Sequence, residues 1–99
     1  MFGNPGFVYM ITCEQFTKVG VSIRPQKRHA AIGAENPFPA YLVHTMATKH
    51  MVRSEKYLHK MLKAYHVKNE WFCLPDDIYF GLRAITDIDS FVRAGARLG

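Results

Sequence analysis

The stretch GFVYMITCEQFTKVGVSIRPQKR, Gly6 to Arg28, decides the fold. Phe7-Val8-Tyr9-Met10-Ile11 is a short apolar, β-prone run, and Phe16-Thr17-Lys18-Val19-Gly20-Val21 is a second. The polar break Cys13-Glu14-Gln15 between them predicts a β-hairpin. Ser22-Ile23-Arg24-Pro25 closes the strand pair and opens a helix, because proline is tolerated at the first helical position. Gly33 is expected to stop that helix after about two turns. Tyr9 and Lys18 each stand between apolar neighbours, and Arg28 lies three residues past the proline. Singly, a half-buried core tyrosine, a snorkelling lysine and a solvated arginine account for them. A short helix packed on the hairpin would instead gather a phenol, an ammonium and a guanidinium around one spot.

Beyond that stretch, Ala34 to Pro39 reads as a loop by its prolines and asparagine, and Ala40 to Met46 as a third strand beside the hairpin. Thr48 is a candidate N-cap for a long helix over residues 49–66. On a helical wheel Met51, Leu58, Met61, Leu62 and Tyr65 share one face, while Arg53, Lys56, Lys60 and Lys63 gather opposite. Val67 to Pro75 is expected to return as an extended segment in which Trp71 and Phe72 plug the core and Glu70 meets Arg28 or another basic residue, in a structural role. Asp76 is expected to cap a C-terminal helix carrying Ile78, Leu82, Ile85 and Val92, with a break at Thr86-Asp87 and fraying over residues 95–99. The expected fold class is α+β: a small three-stranded mixed sheet flanked by helices. The expected organisation is a single domain over residues 1–99, with its core at about 6–74 and a helical extension at about 76–94.

An apolar fraction of 48% argues against disorder. No apolar run approaches a membrane span and no signal pattern opens the chain, so a cytoplasmic protein with no membrane partner is expected. Cys13 and Cys73 have no CxxC spacing, and none of the five histidines forms an HxxxH pair, which leaves reduced thiols and no structural zinc. The formal charge of +5 is unevenly spread. Residues 18–68 carry ten Lys/Arg against Glu35 and Glu55, whereas the remainder carries three against six acids. That asymmetry suits an anionic partner, and nucleic acid fits best. The candidate contacts are Arg24, Lys27, Arg28, Lys56 and Lys60.

Glu55 is the odd residue of the long helix. By angle it falls at the rim of the apolar face, beside Leu62, and it is the only acid between Glu35 and Glu70. A carboxylate turned toward a core is costly unless a cation meets it. A pair with His59, one turn on, is the structural explanation. A metal-binding carboxylate facing the cleft of Tyr9, Lys18 and Arg28 is the functional one, and a carboxylate with water and substrate phosphate is a set that magnesium accepts.

Val8-Tyr9, Lys18-Val19-Gly20, Ser22, Pro25 and Arg28, followed by Glu55 with His59 and by Glu70-Trp71-Phe72, resemble the GIY-YIG nuclease superfamily over about residues 6–74. They are most similar to its short phage and prophage branch, in which the second motif carries a lysine. The resemblance implies a GIY-YIG-like fold and a single-metal DNA endonuclease using Mg²⁺ or Mn²⁺ in a bacterial or phage-infected cell. Tyr9, assisted by Lys18, would activate water, Arg28 would bind phosphate, Glu55 would hold the metal, and His59 would orient Glu55 or move a proton. Lys18 stands where most members carry a second tyrosine. If it cuts, sequence preference is expected to come from the small domain itself, a homodimer or an additional protein partner, because no separate DNA-reading module fits in 99 residues. The alternatives are a non-catalytic nucleic-acid-binding module on the same frame and a protein that docks on an acidic partner.

Overall fold

A computed structural model describes residues 3–98 of the chain. Strands β1 (Gly6–Cys13) and β2 (Phe16–Ser22) form the hairpin, followed by helix α1 (Pro25–Glu35) and strand β3 (Ala40–Thr48). Helix α2 (Met51–Met61) runs through a 3₁₀ turn (Lys63–Tyr65) into the short strands β4 (His66–Lys68) and β5 (Trp71–Phe72). Helices α3 (Asp76–Arg83) and α4 (Ile88–Arg93) complete the described order.

The sheet corrects the expectation of three mixed strands. It has five strands in the order β3-β1-β2-β5-β4, and each pairing is antiparallel. β3 takes one edge of the hairpin, with a register shift between Met10 and Ile11. β5 takes the other edge for two residues only, Thr17 opposite Phe72 and Lys18 opposite Trp71. Strands this short carry no periodicity that a sequence can display. Their formation depends on the turn between them, where Asn69 adopts φ 54°. Asparagine tolerates that left-handed conformation better than most side chains.

β1 lies in the middle of the sheet and is buried on both faces, which is why Val8, Tyr9, Met10 and Ile11 are all inaccessible. Tyr9 and Ile11 point to the face covered by α1 and pack with Ile32, Leu42 and Trp71. Val8 and Met10 point to the opposite face and pack with Val19, Met46, Leu58, Leu62 and Phe72. Ile78, Leu82, Ile85 and Ile88 of the C-terminal segment belong to that same cluster.

The helices differ in extent from their sequence patterns. α1 runs past Gly33 to Glu35. The long helix expected to reach residue 66 stops at Met61, because its apolar stripe continues into the 3₁₀ turn that swings the chain back toward the sheet. The C-terminal helix does break at Thr86-Asp87, and Asp87 caps α4 by accepting the Ser90 N–H at 3.0 Å. Within the segment expected to fray, Leu98 instead lies against the core and the Tyr57 hydroxyl donates to the Ala96 carbonyl, while Gly99 lies outside the described residues.

A buried polar cluster fixes where α2 starts. Thr48 is not the N-cap of α2, a position that falls to His50. The Thr48 hydroxyl accepts the His50 N–H at 3.0 Å, lies 2.9 Å from the Ser54 hydroxyl and donates to the Asp89 carboxylate. Asp89 also accepts the Lys49 N–H at 2.9 Å. Burial pulls the Asp89 carboxyl upward, but the Thr48 and Lys49 hydrogen bonds and the Arg53 cation outweigh it and hold it below the usual range. The end of β3, the start of α2 and α4 are thereby tied together. Asp89→Ala should cost about 1–3 kcal/mol of stability in urea unfolding at neutral pH, through the donors it leaves unpaired. Because the folded carboxyl lies below its unfolded value, that contribution is present above about pH 4 and is lost as pH falls through the folded value.

Candidate active site

β2 is longer than its neighbour, and the site grows from that mismatch. β5 pairs with Thr17 and Lys18, so the outward backbone groups of β2 from Val19 onward have no strand to meet. Unpaired backbone groups at a covered edge must find other partners. The Val19 N–H donates to the Glu70 carbonyl at 3.1 Å, and the Val19 carbonyl accepts from His59 Nε2 at 2.7 Å. Two residues on, the Val21 N–H faces the Glu55 carboxylate. His59 and Glu55 lie one turn apart on α2, so a single helix face closes the edge. The His59 ring holds a backbone carbonyl and stacks edge-on against Phe72, with ring centres 5.1 Å apart.

The other groups converge on Gly20. Tyr9 sits opposite Gly20 in the hairpin register and is 1% exposed. A Cβ on Gly20 would lie 2.5 Å from the Tyr9 hydroxyl oxygen and 2.6 Å from Glu70 Oε1, so only glycine leaves both oxygens their place. The Arg28 guanidinium, from the first turns of α1, meets the same hydroxyl. Burial pushes the Tyr9 phenol above its usual range, and the Glu70 and Glu55 carboxylates add to that, against the opposing pull of Arg28. Lys18 Nζ lies 3.6 Å from Glu70 Oε1 and 5.4 Å from the centre of the Trp71 ring, so its charge is directed at the acid.

Glu70 is the residue that sequence reasoning assigned to structure alone. It is indeed paired with a base, Lys18 and not Arg28, yet its Oε1 is buried and has no hydrogen-bond partner among the described residues. It follows the left-handed Asn69, and the tight turn delivers its carboxylate to the open edge of β2. The signals in the sequence were an acid directly before two aromatics and the place of that Glu70-Trp71-Phe72 run in the resemblance. Burial raises the Glu55 carboxyl first and the Glu70 carboxylate raises it further, while His59, Lys18 and the Val21 N–H act against them.

The donor chemistry fits a hard divalent cation. Glu55 is a half-buried carboxylate with a second carboxylate near enough to raise it, and positive charge there would relieve both. Among the described residues no group of three or more His, Cys, Asp or Glu gathers as a metal cage. Such a cation would therefore rest on Glu55, with water and substrate oxygens completing its shell. Arg24, Lys27 and Arg28 open α1 and are exposed. Lys56 and Lys60 lie elsewhere, lining with Arg53 a groove of about 620 Å³ along α2 that includes none of Tyr9, Lys18, Arg28 and Glu55.

A carboxyl raised by folding contributes stability that is lost as pH rises through its folded value. Glu55→Gln should therefore leave the fold intact and unfold at the same or a higher temperature than the parent at neutral pH. The difference should vanish below about pH 4, where both side chains are neutral. Thermal unfolding followed by circular dichroism at the two pH values checks this.

Among the described residues no helix is long and apolar enough to cross a membrane. No curated protein and no solved structure matches the chain. The family model of the T5orf172 domain matches residues 6–94. Nearly the whole chain, including the hairpin, the open edge of β2 and all the residues gathered there, thus falls within that match, and the chain belongs to the T5orf172 domain family.

Proposed function

We propose that the protein is a metal-dependent endonuclease that hydrolyses DNA phosphodiester bonds on the plan of the GIY-YIG enzymes. The observation that carries this reading is the convergence of a buried phenol, a guanidinium and a half-buried carboxylate at one open sheet edge. Membership in a phage-associated, nuclease-related family supports the reaction class. The net charge of +5, concentrated over residues 18–68, supports an anionic polymer as substrate.

Each group has a task in that reaction. Arg28 is exposed and close to the Tyr9 hydroxyl, so it can bind a phosphate oxygen with two parallel hydrogen bonds beside the attacking water. Tyr9 is a neutral phenol and positions that water by hydrogen bonding. Lys18, at the floor of the site, balances the Glu70 carboxylate. Glu55 would hold Mg²⁺ or Mn²⁺, which when bound supplies positive charge to the phosphoryl group and the leaving 3′ oxygen. Arg24 and Lys27, at the mouth of α1, extend the phosphate-binding surface. Lys56, Lys60 and Arg53 would follow a more distant part of the strand along their groove.

Cleavage of supercoiled plasmid tests the reading. With Mg²⁺ or Mn²⁺ the protein should nick or linearise the DNA, and EDTA should stop it. Glu55→Ala and Tyr9→Phe should lose activity while remaining folded. Arg28→Lys should fall by about 10²-fold or more, because an ammonium cannot make the paired contact. Metal-independent, salt-sensitive DNA binding without product would instead establish a binding module on the same frame.

A further inference from the structure

The Tyr9 hydroxyl can be followed as a matter of donors and acceptors. Arg28, close to the Tyr9 hydroxyl, can only donate, so the phenolic proton must find its acceptor elsewhere. The other cation nearby, Lys18, also only donates. The acceptor that faces the hydroxyl across Gly20 is Glu70 Oε1, and this atom is buried with no hydrogen-bond partner among the described residues. A buried carboxylate oxygen without a partner calls for a reason. Glu70 remains one-third exposed as a side chain, so its carboxylate can shift, and contacts of this kind commonly tighten only when substrate arrives.

From this geometry we infer that Glu70 is the proton acceptor behind Tyr9, and that Tyr9 relays a proton and does not act as a phenolate base. The inference rests on the nuclease reading. As the water oxygen bonds to phosphorus, one water O–H bond breaks and that proton passes to the Tyr9 oxygen. The phenolic O–H breaks in the same step, and its proton passes over Gly20 to the Glu70 carboxylate. Tyr9 begins and ends as a phenol, Glu70 ends as a carboxylic acid, and the 3′ oxygen departs with the P–O electron pair. No phenolate has to form beside two carboxylates in a buried place. Lys18 holds Glu70 at the receiving end.

The groups facing Tyr9 and Glu70 are Arg28 from α1, Lys18 from β2 and Glu55 from α2. His59 acts on Glu55, and Glu35 acts on Arg28. Glu70→Gln keeps the shape of the side chain and removes the proton acceptor. It also eases Glu55 and Tyr9 downward and takes the acidic partner from Lys18. Easing Glu55 would move an acid limb to lower pH, and easing Tyr9 would favour a phenolate base and raise the rate at pH 7, both opposite to the changes expected here.

The experiment is the pH dependence of kcat/KM for plasmid nicking by the full chain, parent beside Glu70→Gln, with thermal unfolding to establish that the variant is folded. The parent should show no tenfold rise per pH unit between about pH 6 and 9, since no phenolate has to form. Glu70→Gln should be slower by about 10²- to 10⁴-fold at pH 7 and climb tenfold per pH unit toward pH 10. A folded Glu70→Gln with the parent profile overturns the relay and leaves the nuclease standing. A parent rate that itself climbs to pH 10 also overturns it, and this result needs no variant. No cleavage by the parent at any pH overturns the nuclease reading and the relay with it.

Discussion

The structure depends on the outer edge of β2, a central strand whose neighbour ends too soon. Past Lys18 the strand presents backbone donors and acceptors that β5 does not reach. Other parts of the chain satisfy them: the Glu70 carbonyl, the His59 ring and the Glu55 carboxylate. An open sheet edge invites pairing with another chain, and here it is covered by a helix and a turn. The cover is polar, so the same contacts that finish the sheet place ionisable groups beside the Tyr9 hydroxyl. Completing the sheet and assembling the site are one event.

The placement of α2 follows from this requirement and from the polar cluster at its start. Thr48, Ser54 and Asp89 link the end of β3, the first turns of α2 and α4 through short hydrogen bonds. The Asn4 carbonyl accepts the Met51 N–H at 2.9 Å, so even the segment before β1 helps to fix the helix. Leu58 and Leu62 then anchor it in the core formed with α3 and α4. The C-terminal helices contribute to the site only through this packing. They hold α2 against the sheet, and α2 carries Glu55 and His59.

The electrostatics of the site work against stability. The Tyr9 phenol and the Glu55 carboxyl are both raised, each chiefly by burial, and each is raised further by Glu70. Arg28 acts against it at Tyr9, His59 and Lys18 act against it at Glu55, and Lys18 stands 3.6 Å from Glu70, too far for a hydrogen bond. Strain of this kind persists where a surrounding frame enforces it, and it gathers at sites with work to do. Gly20 is the steric counterpart. Its missing side chain is what lets a phenol and a carboxylate face each other over a strand.

The residues nearest in sequence were the most legible. The two apolar runs and the polar break of residues 6–22 specify the hairpin, Pro25 specifies the start of α1, and the break before α4 shows in Thr86-Asp87. Tyr9, Arg28 and Glu55 stand out because each is chemically out of keeping with its local pattern, and the fold does bring them to one edge. The short partners of the sheet were not legible, because two residues paired with a distant strand leave no period to read. Nor was Glu70, whose place depends on a left-handed Asn69 and on the register of β5 against β2. The sequence by itself determined the local elements and the odd residues on them, since both are written in neighbouring side chains. The tertiary structure alone decided the number of strands, the end of α2 and which acid faces Tyr9. Those depend on backbone groups meeting across the sheet, and the partners of the β2 edge lie more than thirty residues away in the chain.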